Sequence, residues 1–143
     1  MTAISLRQAR PEDAEDLIDL IGDLGHQLAL TDLRGNLARL ADEKLPQLVA
    51  EKDGRIVGLL GMDCMFPAYR SRPVARITIL VVAEHVRGCG VGQALVEHSV
   101  EIARKWGCEM IEVTSNDRLT EAHAFYLHLG FSQTSRRFAL MVD

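Results

Sequence analysis

Three glycines within five residues, Gly88, Gly90 and Gly92, separate a β-branched run from a long helical pattern. The run is VARITILVV, with the composition of a central strand. In the pattern that follows, Val91, Leu95, Ile102 and Trp106 fall on one side of a helix. Glycine costs up to about 1 kcal/mol relative to alanine inside a helix. Three at a helix start make sense where bare backbone must come close to a ligand. Consecutive N–H groups at a helix N-terminus form an anion cradle, and Arg87 can add a charge-assisted bond to a phosphate. A tight strand-to-helix turn without any ligand is the plainer alternative, and the glycines together with Arg87 argue against it.

Spacing narrows the phosphate ligand. A dinucleotide fingerprint needs G-x-G-x-x-G directly after its strand. Here the spacing is G-x-G-x-G, Gln93 stands where the third glycine belongs, and Ala83 to Arg87 intervene. A P-loop ends in Gly-Lys-Ser/Thr, whereas this loop ends Gly-Gln-Ala. Both nucleotide readings fail in detail.

The remaining elements follow from pattern. ISLRQA alternates as a first strand. RPEDAEDLIDLIGDL starts a helix with Pro11 in the first turn, and Ala14, Leu17, Ile18, Ile21 and Leu24 form its apolar stripe. A second helix carries Leu33, Leu37 and Leu40 in register. PQLVAEKDGRIVGLLGMDCMF is a hairpin turning at Lys52-Asp53-Gly54. CEMIEVTSN predicts a strand and LTEAHAFYLHLG a helix closed by Gly130, and FSQT and RFALMV predict terminal strands. The order is βααβββαβαββ, an α/β domain with a mixed sheet. At 143 residues, without repeat or linker, the expectation is one domain over residues 1–143.

Composition excludes several functions. A net charge of -4 with no basic block argues against nucleic-acid binding. The absence of a long apolar run argues against a membrane protein. Three widely spaced cysteines, Cys64, Cys89 and Cys108, suit neither a disulfide framework nor a metal site. The expected compartment is the cytoplasm.

The motifs together resemble the GNAT family of N-acetyltransferases. RGCGVG matches that family's acetyl-CoA loop at Arg87, Gly90 and Gly92, and LVV its splayed strand. The resemblance implies a twisted, largely antiparallel central sheet with helices on both faces. It also implies acetyl-CoA bound by Leu80, Val81, Val82, Arg87, Gly88, Cys89, Gly90, Val91 and Gly92. SNDRLTEAHAFYLHLGF resembles the second half of the fold. There Asn116 matches a position facing the cofactor and Tyr126 the general acid, with Gly130 and Phe131 completing the signature.

Acyl-transfer chemistry agrees with the resemblance. A strand N–H near Val81 or Val82 can stabilise charge on the carbonyl oxygen. A phenol can protonate the departing thiolate, which fits Tyr126. Direct attack by the amine in a ternary complex needs positioning rather than a side-chain nucleophile. Tyr126 has a plainer reading as a core aromatic beside Phe125, and Asn116 one as a turn residue. The general base is open. Thr78 and Ile79 stand where relatives often carry acids, which leaves Asp63, Glu84, His85, His26 or water.

The chain looks closest to small-molecule acetyltransferases such as the aminoalkylphosphonate type. The acceptor is then a small-molecule amine, and Arg70, Arg72 and Arg76 are candidates to meet an anionic one. A peptide acceptor and a non-catalytic acetyl-CoA sensor are the alternatives. The apolar RFALMV segment and the family's habit point to a homodimer.

Overall fold

The computed structural model describes residues 3–143. It contains two compact units, residues 1–112 and 113–143.

In the first unit, β1 (Ser5–Gln8) leads into a 3-10 turn at Pro11–Asp13 and α1 (Ala14–Asp23). Then come α2 (Leu30–Asp42), β2 (Gln47–Lys52), β3 (Arg55–Met65) and β4 (Val74–Val82). A second 3-10 turn, Glu84–Val86, precedes α3 (Val91–Lys105), which is followed by β5 (Met110–Val113). The sheet order is β1-β2-β3-β4-β5, and the first four strands pair antiparallel. Asp53 and Gly54 turn the β2–β3 hairpin with φ of 54° and 73°, the left-handed pair that a two-residue hairpin demands.

Helices cover both faces of this sheet. On one face a Cβ added at Gly58 would sit 3.0 Å from Leu95 and from Val91 of α3. The missing side chain lets α3 lie close on β3. On the other face Ile21 of α1 and Leu33 and Leu37 of α2 line a cavity together with Leu59 and Ile79. Leu17, Leu60, Met62, Ile77 and Leu95 are fully enclosed. Truncating one such side chain to alanine typically costs about 2–5 kcal/mol.

Several sequence expectations shift. The buried face of α3 runs through Val91, Leu95, Val96, Ser99 and Ala103, while Ile102 and Trp106 are half-buried. Ser99 reads as polar, yet its hydroxyl donates to Val96 O at 2.7 Å and the residue is 0% exposed. The internal hydrogen bond satisfies the hydroxyl and allows its burial. In α1 Leu20 joins the core, and Ile18 and Leu24 are only half-buried. An ion pair that the sequence did not announce ties β1 down. Arg7 holds both oxygens of Asp13 at 2.8 and 2.9 Å and also binds Glu51 of β2.

In the second unit, α4 spans Thr120–His128. FSQT and RFALMV form no strands there, so the expected eleven-element order ends after its ninth. Strand propensity expresses itself only against a partner. Among the described residues this segment has no ladder, and Phe138 is 92% exposed.

Candidate active site

β4 carries its backbone groups in two directions. Ala83 N–H donates to Val57 O at 2.8 Å, and Val81 and Ile79 pair opposite Leu59 and Gly61 in the same phase. Antiparallel pairing alternates. Ala83, Val81 and Ile79 therefore point their N–H and C=O groups at β3, while Leu80 and Val82 point theirs at the opposite edge. Glu109 N–H donates to Pro73 O at 3.1 Å, and Arg76 binds Glu112 at 2.6 and 2.9 Å. The contacts advance together along both strands, so β5 starts level with β4 and runs parallel to it. Four residues of β5 cannot line nine of β4, and the edge at Leu80 and Val82 lies beyond the contacts they share. The sequence had placed an N–H donor near Val81 or Val82. Val82 presents its groups to that edge, and Val81 is committed to β3.

The glycine loop follows at the end of β4. Gly88 and Gly90 have φ of 82° and 87°, a region that costs other residues about 1–2 kcal/mol. Gly90 caps α3, so the first N–H groups of a 15-residue helix carry its positive end. A Cβ at Gly88 or Gly90 would meet no protein atom within 4 Å. The space over the loop is open, and the backbone is bare toward it. Arg87 is exposed and makes no ion pair among the described residues, and Cys89 is exposed beside it. Val91, the first residue of α3, has its side chain buried, which leaves only its backbone toward the loop. A cradle of N–H donors next to a free guanidinium suits a diphosphate.

In the second unit Tyr126 sits at the last turn of α4. Gly130 N–H donates to Leu127 O and Phe131 N–H to Tyr126 O, with Gly130 at φ 97°. This is a Schellman closure, whose usual companion is an apolar contact between the two residues it joins. Here those residues are Tyr126 and Phe131, with ring centroids 5.5 Å apart. Phe125 flanks Tyr126 edge-on at the same distance. Burial pushes the Tyr126 phenol above its ordinary pKa, so it stays protonated at neutral pH. Asn116 serves a turn. Its side-chain oxygen accepts from Arg118 N–H at 3.0 Å, and its backbone oxygen contacts His123 Nε2 at 2.9 Å.

A cavity of about 370 Å³ opens in the first unit on the α1–α2 face. Its polar lining is His26, Gln27, Asn36 and Gln47, and Ile79 of β4 forms part of its wall. That volume lies within the range of small-molecule sites.

The model of the Acetyltransferase (GNAT) family matches residues 11–131. The chain belongs to the GNAT acetyltransferases. It is 31% identical to the aminoalkylphosphonate N-acetyltransferase of Salmonella typhimurium, over 96% of this chain and 91% of that protein. It is also 31% identical to the glucosamine 6-phosphate N-acetyltransferase of Trypanosoma brucei brucei, over 98% and 99%. A solved Trypanosoma brucei acetyltransferase superposes with a TM-score of 0.81 at 27% identity, covering 98% of this chain and 100% of that one. As a GNAT acetyltransferase, the chain is an acyltransferase with acetyl-CoA as co-substrate.

Among the base candidates of this GNAT chain, His26 lines the cavity, while Asp63, Glu84 and His85 do not. Asp63 accepts from the adjacent Cys64 N–H at 2.7 Å. Arg70 and Arg76 pair with Glu109 and Glu112 and, like Arg72, are absent from the cavity lining. Sequence reasoning missed Gln47, which is buried at the start of β2. Its signal was a polar residue directly ahead of the apolar run Leu48–Ala50. It also missed that Cys64 and Cys108 are neighbours: burial and the nearby Cys64 raise the Cys108 thiol pKa.

Proposed function

We propose that this chain moves the acetyl group of acetyl-CoA to the primary amine of a small molecule by direct attack in a ternary complex. The cavity carries this reading. It is of small-molecule size, and Ile79 in its wall immediately precedes the Leu80–Val82 edge. Bound acetyl-CoA supplies an activated thioester. The N–H groups of the glycine loop and Arg87 hold its diphosphate. Backbone groups of Leu80 and Val82 orient the acyl arm, and the Val82 N–H is the donor for the carbonyl oxygen. Tyr126 holds the proton that the departing thiolate takes up. A phenol is protonated at neutral pH, as a general acid must be. His26, in the cavity wall, is the candidate to take the proton of the incoming ammonium. Asn116 shapes the turn before α4 and is a weaker cofactor contact than the sequence implied. Both named relatives act on amines that bear a phosphonate or phosphate, which supports a small-molecule acceptor over a peptide. The reading includes a cytoplasmic homodimer.

The test is acetyl-CoA consumption with a panel of amines, for wild type and for Tyr126→Phe. The Phe variant keeps its packing against Phe125 and Phe131. Loss of the hydroxyl should lower kcat by roughly 10²–10⁴-fold with acetyl-CoA affinity nearly unchanged. Wild-type kcat in a folded Phe variant removes the general-acid role. Tight CoA binding with no turnover of any amine favours the acetyl-CoA sensor.

A further inference from the structure

The cavity lining contains no lysine, arginine, aspartate or glutamate. Gln47 is its unusual member, being only 7% exposed. Its Nε2 donates to Pro46 O at 2.8 Å, which fixes the plane of the amide. Its Oε1 accepts no hydrogen bond among the described residues. No side-chain nitrogen or oxygen among them is both fully enclosed and unpartnered. This oxygen is therefore reached from open space; Gln47 lines the cavity, and the Thr78 hydroxyl flanks the same gap over Gly61. The arrangement depends on Gly61, where a Cβ would lie 2.5 Å from Oε1. Gln47, Gly61 and Ile79 form one row across β2, β3 and β4. Oε1, lying over Gly61, is thus about one strand spacing, ~4.8 Å, from β4 just before its open edge.

An amide oxygen that opens on a largely apolar space still accepts a hydrogen bond best from an N–H, and a ligand amine can supply one. A phosphonate or phosphate, in contrast, needs cationic partners in place of water. Arg70 and Arg76 are held by carboxylates outside this lining. Resting on the transferase reading above, we propose that the cavity takes a primary amine with an uncharged, largely apolar body, and that its N–H donates to Gln47 Oε1. Gln47 is then a specificity-determining residue, and this chain differs in acceptor class from relatives that act on anionic amines.

The experiment compares 2-phenylethylamine with 2-aminoethylphosphonate. Wild type should favour 2-phenylethylamine by about 10-fold or more in kcat/KM, the scale of one hydrogen bond to a charged group. Gln47→Met fills the same space without the oxygen. It should raise KM for 2-phenylethylamine about 10-fold while Tm and acetyl-CoA affinity hold. Gln47→Asn, which keeps an amide but draws its oxygen back from the gap over Gly61, should raise that KM as well. A phosphonate amine used equally well or better overturns the proposal, as does an unchanged KM in a folded Gln47→Met protein. The wild-type comparison stands even if neither variant folds. If neither amine is turned over, calorimetry on CoA-saturated protein decides. Binding of 2-phenylethylamine keeps the cavity assignment and removes the transferase reading, and no binding overturns the cavity assignment as well.

Discussion

At the scale of single residues, the glycine loop separates two physical roles. Arg87 contributes charge, and the glycines contribute conformation. Replacing Arg87 by alanine should weaken acetyl-CoA binding by roughly 1.5–3 kcal/mol, the worth of a hydrogen bond to a charged group. Its exposure and lack of an ion-pair partner among the described residues mean that nothing in the fold is lost with it. Calorimetry should therefore show weaker binding at unchanged Tm. Gly90→Val imposes a β-branched side chain at φ 87°, where strain distorts the start of α3. Its binding loss should exceed that of Arg87→Ala. Unaltered binding in both variants would remove the loop assignment.

At the scale of elements, two closures hold local geometry in place. The Schellman end of α4 explains why a Gly-Phe pair follows Tyr126. Gly130 supplies the left-handed turn, and Phe131 folds back on the Tyr126 ring. The phenol is thus oriented by the backbone as well as by packing. The other closure is the Arg7–Asp13–Glu51 cluster that ties β1 and the first 3-10 turn to β2. Hydrogen bonding to Arg7 holds the Asp13 carboxyl below the usual carboxylate pKa. A depressed folded pKa means stability that is complete above the unfolded value, about 3.9. That stability is lost as pH falls through the folded value. Asp13→Asn should therefore be less stable than wild type in urea at neutral pH, and the gap should close on acidification below about pH 4. A gap independent of pH would show that the charge on Asp13 is not its source.

At the scale of the molecule, the residues after α4 matter most. Phe138, Leu140, Met141 and Val142 are all more than four-fifths exposed, an apolar run of the kind that marks an interaction surface. With terminal strands absent, the case for a homodimer rests on this exposed segment instead of on strand edges. Light scattering at micromolar concentration should give twice the 15.9 kDa chain mass. A monomer mass would withdraw the dimer.

The sequence by itself determined the elements whose signals are local. The Asp53-Gly54 turn, the VARITILVV strand, the glycine loop and the Gly130 stop all stand where their residues place them. Backbone conformation at these points depends on the residue and its near neighbours, so a linear reading suffices. Other features were decided only by the tertiary structure. Whether RFALMV forms a strand depends on a partner, and Val82 rather than Val81 faces the open edge because of its register with β3. Arg70 and Arg76 pair with carboxylates 39 and 36 residues away. Gln47 is accommodated in the cavity wall because Gly61, distant in sequence, leaves room for its amide. Each of these outcomes is a pairing between distant segments, and the energy of a pairing is written in neither segment alone.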